Sequence, residues 1–296
     1  MTKLRLSIAL NPYEHALDAL TGRVPVEGVE LNWLRVADDD IAPRFARDRA
    51  FDIAEMPLFD YVARRAQGDD SVLALPVFLS RAFVQGAIWR RDGGTFATPG
   101  DLDRPNIRLG CDDAATATYF RAGQQGGVGK GAAALPLYDR AGLARALAVG
   151  ALDAAIALDL PTTVGITRLP PDAESEHATF RATRVFPIFR VLCLQGALAA
   201  RHRWLAGALY DAFSRAKQNS LDRLIFAGMS RYPLPWINAY VMRMRGVFGD
   251  DFWPYGVAAN RPTLDAFCAH AGPQGLPPFT GGIDSLFDAA GTLPSD

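Results

Sequence analysis

Two apolar, strand-like segments almost a hundred residues apart constrain this chain more than any other feature. They are Phe83-Val84-Gln85-Gly86-Ala87-Ile88-Trp89-Arg90 and Val185-Phe186-Pro187-Ile188-Phe189-Arg190-Val191-Leu192-Cys193-Leu194. The stretch between them reads as a compact α/β unit, and the material before and after reads as one other α/β unit. A chain that leaves one lobe on a strand and returns on another builds two lobes around a cleft, and such clefts hold small ligands. The question is whether a cleft of this kind only binds or also does chemistry.

At 296 residues the chain is long enough for two lobes with a core each. A formal net charge of −1 offers no bulk attraction to nucleic acid or to an anionic membrane, and no interval approaches the roughly 18 apolar residues of a membrane span. The first residues run straight into an alternating strand, Leu4 to Leu10, that stops at Asn11-Pro12, with no signal-like apolar core. A cytoplasmic location is therefore expected. Cys111, Cys193 and Cys268 are widely spaced, which fits reduced thiols and gives no zinc site.

Along the chain, strands are expected at Leu4–Leu10, Val29–Val36, Phe51–Met56, Val72–Phe78, Ile107–Cys111 and Ala154–Leu158, and helices between them. The first helix covers about His15 to Leu20. Asp38-Asp39-Asp40 favours a helix start through its acidic first turn, and Pro57 suits the first turn of the next helix. Long helices follow at Trp204–Leu224 and Asn238–Val247. The alternation predicts mostly parallel sheets. Gln124-Gln125-Gly126-Gly127-Val128-Gly129-Lys130-Gly131 is a glycine-rich loop without the spacing of a phosphate cradle.

In a parallel α/β lobe, ligands meet the carboxyl ends of strands and the amino ends of the following helices. That rule selects Asn11-Pro12-Tyr13, Glu55-Met56, Ser80-Arg81, Asp112-Asp113-Ala114-Ala115-Thr116 and Asp159, with Arg190 added from the return crossover. Guanidinium groups suit a carboxylate or phosphate, and the acids suit proton transfer, hydroxyl binding or a metal. Plain structural roles stand beside these: a paired Arg81 or Glu55, a helix cap at Asp112-Asp113, a surface His15, and packing aromatics in Trp236, Trp253 and Tyr255. Four scattered histidines make no metal motif, and no serine sits in a nucleophile elbow.

Four blocks in register carry a resemblance. Phe51-Asp52-Ile53-Ala54-Glu55-Met56-Pro57-Leu58-Phe59-Asp60-Tyr61, Leu75-Pro76-Val77-Phe78-Leu79-Ser80-Arg81-Ala82-Phe83, Phe186-Pro187-Ile188 and Phe252-Trp253-Pro254-Tyr255-Gly256-Val257-Ala258-Ala259-Asn260-Arg261-Pro262-Thr263-Leu264 together resemble the 4,5-dihydroxyphthalate decarboxylase family. The match runs from Ser7-Ile8-Ala9 to Phe267. It implies an α/β, two-lobed, type II periplasmic-binding-protein-like fold with a two-strand hinge and an inter-lobe cleft. Residues 1–84 plus 192–296 would form lobe one and residues 85–191 lobe two. Where the family pattern has a basic residue and a histidine after Ser-Arg-x-Phe, this chain has Val84 and Gln85; where Phe-Pro-Ile runs on to a histidine, Arg190 stands.

The resemblance implies a cytoplasmic lyase, a decarboxylase of a small hydroxylated aromatic or unsaturated acid. Glu55 or Asp113 would be the acid and Tyr13 a hydroxyl-binding or relay group. Arg81 and Arg190 would anchor carboxylate, with Ser80, Asn11, Thr116 and Asp159 completing the binding set. No cofactor is implied and a divalent metal is left open, as is a homo-oligomer. The alternative is a solute-binding or sensor protein for a small organic anion without turnover, which the missing histidines favour. Neither reading calls for nucleic acid or a membrane.

Overall fold

The computed structural model describes residues 3–104, 106–123, 134–170, 173–226 and 232–287. In chain order its elements are β1 (Leu4–Ala9), α1 (Leu17–Leu20), β2 (Val29–Leu34), α2 (Asp38–Ala46), β3 (Ile53–Pro57), α3 (Leu58–Ala66), β4 (Val72–Arg81), β5 (Ile88–Arg91), β6 (Leu109–Cys111), α4 (Ala114–Gly123) and α5 (Arg140–Ala148). There follow β7 (Ala154–Ile156), β8 (Ile166–Arg168), α6 (Ala173–Thr183), β9 (Ile188–Gln195), α7 (Gly196–Arg201), α8 (Trp204–Ile225), α9 (Ile237–Phe248), α10 (Arg261–Ala271) and α11 (Asp284–Phe287). The chain divides into two α/β units. The first comprises Met1–Ser80, Ile188–Arg261 and Thr280–Asp296; the second comprises Arg81–Pro187 and Pro262–Phe279.

The first unit holds a five-stranded sheet in the order β2-β1-β3-β9-β4. β1 lies parallel to β2 and β3, with Ile8 level with Ile53, so the alternating apolar residues of both strands share one buried face. Ile8, Leu10, Ile53, Leu192 and Leu194 join Leu205, Leu209 and Phe213 of α8 in the main core. The apolar positions of α8 recur at helical spacing, which is why so long a helix keeps one stripe buried. The second unit has a smaller sheet, β6-β7-β5-β8, with Leu143 and Leu147 of α5 packed near Ala155 and Ala157.

The expectation of mostly parallel sheets is corrected. β9 runs antiparallel to β3, and β5 runs antiparallel to both β7 and β8. Neither β5 nor β9 enters its sheet by the strand–helix–strand crossover that enforces parallel pairing. The expected strand at 83–90 also shortens to Ile88–Arg91. Before it, the Ala87 amide donates to the Val84 carbonyl at 3.0 Å in a turn, and the Phe83 ring stacks on Phe186 with centroids 4.8 Å apart. The glycine-rich loop 124–131 lies outside the described residues. Among the described residues no helix is long and apolar enough to cross a membrane.

Candidate functional site

One polar cluster in the first unit gathers four of the residues selected from the sequence. Its centre is Glu55, the middle residue of β3 and fully buried. Residues 53, 55 and 57 share a sheet face by strand alternation, and on neighbouring β9 they face Leu194, Leu192 and Arg190. A face that is apolar at Ile53 and Leu194 thus turns polar two residues on. Arg190 sits opposite Pro57 and diagonal to Glu55, a spacing that a long side chain spans.

The end of β1 supplies the rest. The Asn11 backbone amide donates to Glu55 Oε1 at 2.6 Å, and the Tyr13 hydroxyl donates to Oε2 at 2.5 Å. Asn11 Nδ2 donates to Asp38 Oδ1 at 2.7 Å, and Arg190 Nη2 lies 3.3 Å from Asp38 Oδ2. Asp38 opens α2, so the acidic first turn read as a helix start also supplies Arg190 with its counter-ion.

Burial raises the Glu55 carboxyl above the ordinary carboxylate range; the Tyr13 and Asn11 hydrogen bonds and the Arg190 charge oppose it, while Asp38 adds to it. The cation acting on Glu55 within this unit is Arg190. Tyr13 is pushed far up, first by burial and then by the Glu55 charge, and stays a phenol at any physiological pH.

The other selected residues lie apart from this cluster or in the second unit. Ser80 is half-buried on β4. Arg81 is buried, donates from Nη1 to the Phe186 carbonyl at 2.9 Å, and sits 5.1 Å above the Phe186 ring. Asp113 precedes α4 and accepts from the Thr116 amide at 2.8 Å on one oxygen and from the Thr116 hydroxyl on the other. Both oxygens therefore serve a helix cap, and Thr116, fully buried, is its partner. Asp159 is exposed beyond β7. Beside the cap, Asp112 is pushed up to about 7, chiefly by burial and then by Asp113, with Arg140 opposing. Val84, standing where the family pattern has an ionisable group, is fully buried.

Sequence reasoning missed His15. It is half-buried, with Nε2 3.0 Å from the Leu79 carbonyl and Nδ1 2.6 Å from the Tyr255 hydroxyl. A carbonyl only accepts, so the neutral ring carries its proton on Nε2 and takes the Tyr255 hydrogen on Nδ1. Trp253 lies against the same ring, centroids 5.3 Å apart, and donates to the Phe78 carbonyl at 3.0 Å. Trp253 and Tyr255 are packing aromatics, as one sequence reading had them; Trp236 is not, being 85% exposed. Among the described residues no three metal-ligating side chains converge. A cavity in the second unit, about 730 Å³ and lined by residues such as Leu102, Arg108 and Tyr138, contains none of the selected residues.

No family model matches the chain. A 4,5-dihydroxyphthalate decarboxylase of Comamonas testosteroni is 28% identical over 309 residues, covering 93% of this chain and 94% of that protein. A second, of Pseudomonas putida, is 33% identical over 107 residues, covering 36% of this chain and 42% of that protein. Among solved structures, a periplasmic sulfonate-binding protein, SsuA, of Methylobacillus flagellatus KT superposes with a TM-score of 0.53 at 12% identity over 97% of this chain and 92% of that one. The chain is related to decarboxylase-like proteins, and its two α/β lobes have the type II periplasmic-binding-protein-like fold. The likeness also corrects the cytoplasmic location expected from the sequence, because the fold neighbour is a periplasmic protein and points away from the cytoplasm.

Proposed function

We propose that the chain is a receptor for a small organic anion, which it binds without turnover. The observation that carries this reading is the state of Arg190. Among the described residues its guanidinium has one ion-pair contact, 3.3 Å to Asp38, a side chain 49% exposed. Such a half-exposed ion pair is worth about 0–1 kcal/mol. A ligand carboxylate or sulfonate, accepting two parallel N–H bonds, exchanges for Asp38 at little cost. Glu55 and Tyr13 then act as a fixed pair beneath Arg190, with the carboxyl occupied on both oxygens. That occupancy suits a scaffold better than a proton donor. The sulfonate-binding name of the fold neighbour agrees with an oxyanion ligand.

The second reading is decarboxylation of a small hydroxylated aromatic or unsaturated acid. It is favoured by the similarity to the Comamonas decarboxylase over nearly the full chain and by a buried carboxyl with a raised pKa. Titration calorimetry with a panel of carboxylates, hydroxylated phthalates and alkyl sulfonates, alongside measured carbon dioxide release, separates the two. Binding without gas release at any pH from 5 to 9, with or without added divalent metal, is the expected result. Catalytic release from any panel member overturns the receptor reading.

A further inference from the structure

The Glu55 carboxyl has two unlike oxygens. Oε1 faces the Asn11 backbone amide at 2.6 Å, and Oε2 faces the Tyr13 hydroxyl at 2.5 Å. A backbone N–H only donates, whereas a phenol hydroxyl both donates and accepts. A proton taken up by Glu55 therefore belongs on Oε2, where the Tyr13 oxygen can accept it. In the ionised state Tyr13 gives its own hydrogen to Glu55. In the protonated state Glu55 donates to Tyr13, and the Tyr13 hydrogen turns outward while both side chains stay in place.

The charges around the pair favour the same exchange. Arg190 on β9 and Asp38 at the start of α2 are the charged groups acting on Glu55. Cys193 of β9 pairs with Ala54 and so lies on the opposite sheet face. On α3, Arg64 is paired with Asp69, Arg65 acts on Tyr61 and Asp60 is exposed. With Glu55 protonated, Arg190 and Asp38 leave the cluster neutral. With Glu55 ionised, the cluster carries one net negative charge. An incoming anion thus meets repulsion in the second state and a spare donor in the first. Arg190 is also close enough to Tyr13 to oppose the rise in its pKa, so an anion on Arg190 comes within reach of that donor.

We infer, resting on the receptor reading above, that an anion binds at Arg190 together with a proton on Glu55, and that Tyr13 then donates its hydrogen to the bound anion. The proton comes from solvent and stays between Glu55 and Tyr13, and no covalent bond of the ligand changes. By linkage, a ligand that prefers the protonated state draws a proton in as it binds, so affinity rises as pH falls. The ligand class this suits is a singly charged oxyanion with an acceptor left over once Arg190 has engaged two. A sulfonate has a third oxygen for that purpose, and a carboxylate has spare lone pairs.

The test is titration calorimetry on the full chain with butanesulfonate and with benzoate at pH 5 and pH 8, in two buffers of different ionisation enthalpy. Butanesulfonate stays ionised throughout, so its pH dependence reports the protein. The expected result is proton uptake on binding and an affinity roughly 10–100-fold higher at pH 5, the worth of a hydrogen bond to a charged group. Tyr13→Phe should match the natural chain within a few-fold at pH 8 and lose most of the gain at pH 5. Glu55→Gln, whose amide keeps a donor facing Tyr13, should bind at both pH values as tightly as the natural chain does at pH 5. Binding without proton uptake and with equal affinity at both pH values overturns this inference and leaves the receptor reading standing. So does a Tyr13→Phe loss of the same size at both, which would make Tyr13 a structural support, or a Glu55→Gln variant that still follows pH. Absence of binding by every carboxylate and sulfonate of the panel overturns the receptor reading and this inference with it.

Discussion

The Tyr13 hydroxyl donates to Glu55 Oε2 at 2.5 Å across 42 residues of sequence, so the loop after β1 is pinned to the middle of β3. Replacing Tyr13 by Phe leaves a buried carboxyl oxygen without its donor. The expected cost is about 1–3 kcal/mol in urea unfolding at pH 7. That bond favours the ionised carboxyl, so the cost should shrink as the pH falls towards 4.5. A pH-independent cost would mean that lost ring packing, not the hydrogen bond, accounts for the change.

Glu55 gives a second pH signature. Its native pKa is raised, so the native chain holds this proton more tightly than the unfolded one. The stabilisation from that proton is complete below the ordinary carboxylate range and disappears as pH rises through the native value. Glu55→Gln removes the titration. The variant should therefore gain melting temperature relative to the natural chain as pH rises from 4 to 8. A constant difference across that range would argue against a raised Glu55.

Arg190→Gln tests the anion site. Loss of the guanidinium should weaken carboxylate or sulfonate binding by about 1.5–3 kcal/mol, the usual worth of hydrogen bonds to charged groups. Thermal stability should barely move at low pH, where Glu55 is protonated and the half-exposed Asp38 contact is the main loss, and should fall somewhat at higher pH, where the ionised Glu55 also loses a nearby cation. Asp38→Asn should leave ligand affinity unchanged or improve it, because it removes the competitor. Calorimetry with the tightest panel member reads both, and an Arg190 variant of full affinity would remove Arg190 from the ligand.

Asp113 is the counter-example. As a cap for α4 it should cost about 0.5–2 kcal/mol when changed to Ala. Ligand affinity should stay within a few-fold. A variant of normal stability with lost binding would move Asp113 from the cap to the ligand.

Much of the fold was legible because it rests on local pattern. The alternation of Leu4, Leu6 and Ile8 marks β1, the Asp38-Asp39-Asp40 turn marks the start of α2, and the helical stripe marks α8. The direction of β9 was not legible, since pairing partners are chosen by tertiary packing. For the same reason the sequence named Arg190 and Glu55 as candidates but could not put them on neighbouring strands. His15 misled because it is one turn from polar surface residues. Trp253 and Tyr255, returning from about 240 residues away, help to half-bury it.

The place of β9 in the first sheet carries a consequence for how the chain is made. β9 lies between β3 and β4, yet it is synthesised more than a hundred residues after either. A nascent chain of residues 1–80 therefore holds two sheet edges with a gap between them, and both stay open while the second unit emerges. Contacts of such sequence separation fold slowly, and unpaired edges invite association with other chains. The first unit reaches its final sheet only when Ile188–Gln195 arrives, so its N-terminal part is the portion most in need of shelter on the ribosome.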